Sequence, residues 1–169
     1  PVSLGIALDA SGSMSPEKLA AARAAIERLI FKLLDEHDEL FFVEFATRAE
    51  MTQGWTTDRQ LISDALKQVV PVGGTALYDA VAAALPTAQE GRNRKKALLV
   101  ISDGNDTNSS ISVSSLRQKI RESEVLVYAL GVDSTSKDAP RVIQPPVQVP
   151  PSIPFPFPGR GRRQARYPP

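Results

Sequence analysis

The sequence predicts an α/β fold: a doubly wound, mostly parallel sheet with helices on both faces. Three observations carry this. Short unbroken apolar runs alternate with amphipathic stretches between residues 1 and 133. The apolar runs are the length of strands, and runs without polar alternation belong to sheets buried on both sides. Finally, acidic and hydroxyl residues cluster directly after the runs, where ligands bind in open α/β sheets.

The elements follow in order. Val2–Leu8 is a buried-strand candidate. Ser15-Pro16-Glu17 reads as a helix start, with Ser15 as the cap, Pro16 at the first helical position and an acid in the first turn. That helix is expected to run to about Asp35, with a core stripe of Leu19, Ala22, Ile26, Leu29, Ile30, Leu33 and Leu34. His37 then lies at its end, where a cationic side chain suits the dipole.

Leu40–Phe45 is the second strand, and Glu50–Trp55 a shorter one at an edge. Thr57 and Gln60 match a capping box, followed by the apolar face Leu61, Ile62, Ala65, Leu66 and Val69. Pro71–Gly74 breaks this helix, and Thr75 opens another, Ala76 to Gln89, with Pro86 as a kink or late break. Lys96–Ile101 is a strand, Ser112 caps a helix carrying Val113, Leu116 and Ile120, and Val125–Leu130 is the last strand. Trp55 and Tyr78 read as packing residues, Asp106 as solvent-facing, and Asp79 as either solvent-facing or a support for the strand-end crevice.

The character changes at Ser134. Ten of the 14 prolines fall in residues 140–169, and from Ala139 onward there are five Arg and no acid. Residues 134–169 therefore read as an extended, poorly ordered Pro/Arg-rich tail or insertion. Residues 1–138 carry 15 basic against 19 acidic residues, a balance of −4 that argues against a nucleic-acid surface. No stretch has the roughly 20 apolar residues of a membrane helix. The chain has no Cys and one His, which excludes disulfides, zinc–thiolate sites and cysteine nucleophiles. It opens inside a strand without a start Met and reads as part of a longer protein.

Asp9 ends the first strand, with Ser11 and Ser13 in the loop after it; Asp103 ends the strand Lys96–Ile101 in a second polar turn. If these strands are neighbours where strand order reverses, both carboxylates face one crevice. Thr75, after Gly73-Gly74, can bring its hydroxyl over it. Two carboxylates and three hydroxyls are hard oxygen donors, suited to Mg²⁺ first and then to Mn²⁺ or Ca²⁺. A coordination position left to water is one that a partner's Asp or Glu can take.

Asp9-Ala-Ser-Gly-Ser13, Gly73-Gly-Thr75 and Ser102-Asp-Gly104 together resemble the metal-ion-dependent adhesion site of von Willebrand factor A domains. Val43-Glu-Phe-Ala46 and Thr75-Ala-Leu-Tyr-Asp79 look like the bacterial branch, and the resemblance covers roughly residues 2–133. It implies a Rossmann-like fold and a non-enzymatic module that binds protein ligands. It also implies direct metal coordination by Ser11 and Ser13, a direct or water-mediated role for Asp9, and exchanging roles for Thr75 and Asp103. Only the resemblance favours a secreted or cell-envelope location. The family usually has a further helix, strand and terminal helix after the strand Val125–Leu130; here the Pro/Arg segment takes that place, so affinity switching by a terminal helix is not implied. The alternative class is a Mg²⁺-dependent phosphoryl-transfer enzyme of the haloacid dehalogenase type. Such enzymes need an acid two residues after the first Asp, where this chain has Ser11, and a Lys near the phosphate, whereas Lys95-Lys96 precede their strand.

Overall fold

The computed structural model describes residues 1–133; the Pro/Arg-rich segment 134–169 lies outside the described residues. Nine elements follow in the order β1 (Val2–Asp9), α1 (Pro16–Lys32), β2 (Glu39–Phe45), β3 (Ala49–Thr56), α2 (Arg59–Gln68), α3 (Leu77–Gln89), β4 (Lys95–Ser102), α4 (Val113–Glu122) and β5 (Leu126–Gly131). The strands form one sheet ordered β3-β2-β1-β4-β5. Only the β2–β3 pair is antiparallel. The α/β class and the mostly parallel sheet are as the sequence predicts. Among the described residues no helix is long and apolar enough to cross a membrane.

Alternation along the central strands divides the core in two. Leu4, Ile6 and Leu8 of β1, with Leu40 and Phe42 of β2, pack against Leu19, Ala22, Ile26 and Ile30 of α1 and Ile62 and Leu66 of α2. On the opposite face Ala7, Phe41, Val43, Phe45, Leu98 and Val100 pack against α3 and α4 through Ala80, Val81, Ala84, Leu85 and Leu116. Both faces of the central strands are thus covered, which is why they read as unbroken apolar runs. β5 at the border is less covered, with Leu126 and Tyr128 exposed. Trp55 is a packing residue as expected, edge-on to Phe41 with ring centroids 4.7 Å apart, and Tyr78 packs against the same cluster.

Three local expectations are corrected. Helix α1 stops at Lys32, not Asp35, so Leu33 falls outside the stripe and is 70% exposed. His37 consequently sits in a turn five residues beyond the end of α1, exposed and beside Asp35. Helix α2 is capped by Asp58 rather than Thr57: Asp58 Oδ1 accepts from the Gln60 amide at 2.8 Å, and the Gln60 side chain turns to Asp64 instead of closing a capping box. A carboxylate is the stronger acceptor and draws the start one residue later. By contrast Ser15 does cap α1, with Pro16 at its first position, and α3 runs to Gln89 with Pro86 inside its last turn.

Candidate metal centre

Strand β1 pairs with β2 on one side and β4 on the other, both parallel. The chain winds outward from β1 through β2 to β3, then crosses to β4, so the reversal lies between β1 and β4. Asp9 is the last residue of β1, and Asp103 follows β4 directly. The carboxyl ends of β1 and β4, with Asp9 and Asp103 at them, therefore lie side by side at the switch-point crevice.

Three loops build its walls. The first, after β1, closes on itself through Ser11 N to Asp9 Oδ1 at 2.8 Å and a contact of 2.9 Å between the hydroxyls of Ser11 and Ser13. Met14, 1% exposed, anchors it to the core. Because Ser15 serves as the cap of α1, the Ser11 and Ser13 hydroxyls are not needed to start that helix.

The second loop is laced to the first: Gly12 N donates to Gly73 O and Val72 N to Ala10 O. Gly73 has φ +78°, a left-handed conformation that carries the chain over the first loop. It delivers Thr75, 3% exposed, to the crevice. The third loop holds Thr75 in place, since Thr107 N and Asn108 N both donate to Thr75 O and Thr107 Oγ1 accepts from Thr75 N. Ser13, Thr75, Gly104 and Thr107 line one open cleft.

Helix α3 begins at Leu77 behind Ala76, with no side-chain cap of its own. Asp106 supplies one from the third loop: its Oδ1 accepts from Leu77 N at 2.8 Å and from the Ser109 hydroxyl, which in turn accepts from Tyr78 N. Asp106 is therefore a long-range helix cap and not the solvent-facing residue expected. Asp79 also turns back to this loop, accepting from the amides of Ser110 and Ile111, which holds its carboxyl below the ordinary carboxylate range.

The two site carboxylates are held differently. Asp9 is fully buried, and both its oxygens are engaged, Oδ1 by Ser11 N and Oδ2 by the Ser102 hydroxyl at 2.6 Å. Asp103 Oδ2 meets Lys18 Nζ at 3.0 Å, while Asp103 Oδ1 is buried without a hydrogen-bond partner. Burial alone would push the Asp103 carboxyl up. The contact with Lys18, helped by the nearby Ser13 hydroxyl and Asn105 amide, outweighs burial and holds the group below its ordinary value. Lys18 goes unnamed in the sequence reading, and Ser102 enters it only within the Ser102-Asp-Gly104 motif, without its bond to Asp9.

The donor set fits a small hard cation. Among the described residues no three His, Cys, Asp or Glu side chains converge as ligands, so a bound ion would rely on hydroxyls beside two carboxylates. The unpartnered Asp103 Oδ1 is the strongest local sign, since buried carboxylate oxygens are otherwise satisfied.

No curated protein matches the sequence. Several solved structures do. The conserved hypothetical protein BatB from Bacteroides thetaiotaomicron is 25% identical, with a TM-score of 0.68, covering 83% of this chain and 75% of that one. An aerotolerance-related membrane protein from Bacteroides fragilis is 24% identical, with a TM-score of 0.69 and coverages of 82% and 75%. Three N-terminal domains of the type V pili tip protein Mfa5 from Porphyromonas gingivalis are 19% identical, with a TM-score of 0.60; 68% of this chain is covered, but only 22% of that longer one. At these identities the last two speak for the fold alone. The sequence profile of the von Willebrand factor type A domain matches residues 4–105, more than half of the sequence, and the chain belongs to that family.

Proposed function

We propose that the chain is a non-enzymatic, metal-dependent protein-binding module, with a metal-ion-dependent adhesion site of the bacterial type at the β1–β4 crevice. Ser11, Ser13 and Thr75 would supply hydroxyl ligands, with Asp103 beside them; Asp9, whose two oxygens are engaged by protein donors, would act through water. Mg²⁺ suits this set best, then Mn²⁺ or Ca²⁺. When bound, the ion would supply a Lewis-acidic point of attachment for an Asp or Glu carboxylate of a protein partner. The observation that carries the reading is the unpartnered, buried Asp103 Oδ1 beside the Ser11–Ser13 hydroxyl pair at the sheet's switch point.

The phosphoryl-transfer alternative gains a lysine from the structure, since Lys18 reaches the crevice from α1. It lacks the rest. Asp9 is fully buried with both oxygens engaged, a poor position for a nucleophile, and residue 11 is a serine that cannot act as the acid.

Calorimetric titration tests the proposal. Mg²⁺ added to the wild-type chain should give a saturable heat that Asp9→Ala lacks. Equal, negligible heats in both would overturn it.

A further inference from the structure

Lys18 stands on the first turn of α1, and its ammonium meets two groups of the crevice: Asp103 Oδ2 at 3.0 Å and the Ser13 carbonyl oxygen at 3.2 Å. The pair is well enclosed, with the Asp103 side chain 4% and the Lys18 side chain 17% exposed. A cation here is disfavoured by the positive end of the α1 dipole. A partly buried position also removes much of the water that would screen it. An ammonium held against the dipole, on a carboxylate whose other oxygen has no partner, is a fixed charge of the site itself.

Resting on the metal-binding reading above, we propose that Lys18 tunes the site by trading affinity for the metal against affinity for the anionic ligand. Asp9, Asp103 and Lys18 together carry −1. Without Lys18 the same crevice carries −2 and attracts a divalent cation more strongly. Once a divalent ion is present the balance reverses. The three groups and the ion then sum to +1 with Lys18 and to 0 without it, so the lysine makes the loaded site more attractive to a carboxylate. Asp106, which lines the same cleft and caps α3, adds one negative charge to each sum, giving 0 and −1, and leaves the difference made by Lys18 unchanged. Lys18 is thus a positioning and tuning residue that never has to touch the ion.

The two effects have opposite signs, which a merely structural role cannot reproduce. Calorimetry on the full chain with Mg²⁺ alone, and then with acetate at saturating Mg²⁺, reads both. Lys18→Met, which keeps the length of the side chain, should bind Mg²⁺ about tenfold more tightly and acetate several-fold more weakly than wild type. Lys18→Arg should resemble wild type in both. Thermal unfolding in chelator checks that each variant is folded. Mg²⁺ binding by Lys18→Met that is equal to or weaker than wild type overturns the inference and leaves the metal site standing. Absence of heat from every form overturns both.

Discussion

The Ser102 hydroxyl donates to Asp9 Oδ2 at 2.6 Å, binding the carboxyl ends of β4 and β1 together beneath the crevice. The same hydroxyl oxygen accepts from Gly104 N at 3.0 Å. One serine therefore fixes the first carboxylate and starts the turn that carries the second. Ser102→Ala leaves a buried Asp9 oxygen unsatisfied, which should destabilise the fold by about 1–3 kcal/mol. Chemical denaturation in chelator measures this. An unchanged midpoint would mean that the bond is not needed to hold Asp9.

Asp9→Asn separates folding from metal binding. The amide oxygen can keep the bond from Ser11 N, and the amide nitrogen can donate to Ser102 Oγ, so stability in chelator should stay close to wild type. Excess Mg²⁺ should raise the melting temperature of wild type, by the equivalent of about 2.7 kcal/mol at one hundred times Kd, and leave Asp9→Asn unmoved. A similar rise in both would remove Asp9 from the metal reading.

The lowered pKa of Asp103 sets an acid limit. Between the folded value and the ordinary value of 3.8 the folded state binds fewer protons than the unfolded one. Asp103 therefore contributes stability at neutral pH that is lost as pH falls through that window. In chelator, the stability difference between wild type and Asp103→Asn should be constant above about pH 5 and shrink below pH 4. A difference that grows on acidification would contradict the assigned direction.

Asp106→Ala uncaps α3 from a distance of 29 residues in sequence. The expected loss is about 0.5–2 kcal/mol, the usual effect of removing a side-chain cap. Amide exchange should quicken first at Leu77 and Tyr78. Protection lost evenly along α3 would point to global destabilisation instead.

These residues also mark where the sequence is legible and where it is not. Strand-length apolar runs and the spacing of β1 and β4 reveal the sheet, because periodicity is a local property of the chain. Asp9 and Asp103 follow from that, since a strand end is a definite place in the fold. Lys18, Asp106 and Ser102 act across 85, 29 and 93 residues of sequence, respectively. No local pattern encodes such a partner. Asp106 in particular looks like any polar turn residue until α3 is seen to begin without a cap of its own. Leu33 fits the helical stripe by spacing, but the helix ends one residue before it. Spacing reports which face a residue would occupy, not whether the helix reaches it.

Gly5 provides the sharpest test of the packing that positions Asp9. A Cβ there would lie 2.3 Å from Phe41 Cζ and 2.8 Å from Leu98 Cδ1, both in the core between the sheet and α3. Neither side chain has room to withdraw, because Phe41 is fully buried and already seated edge-on to Trp55. Gly5→Ala should therefore destabilise by about 1–3 kcal/mol through overpacking, outweighing the gain from reduced backbone freedom. Gly54 on β3 is the internal control: its added Cβ meets nothing within 4 Å. Gly54→Ala should be neutral or slightly stabilising by the same denaturation measurement. If both substitutions behaved alike, backbone entropy rather than the tight fit of β1 against Phe41 would govern the strand that ends in Asp9.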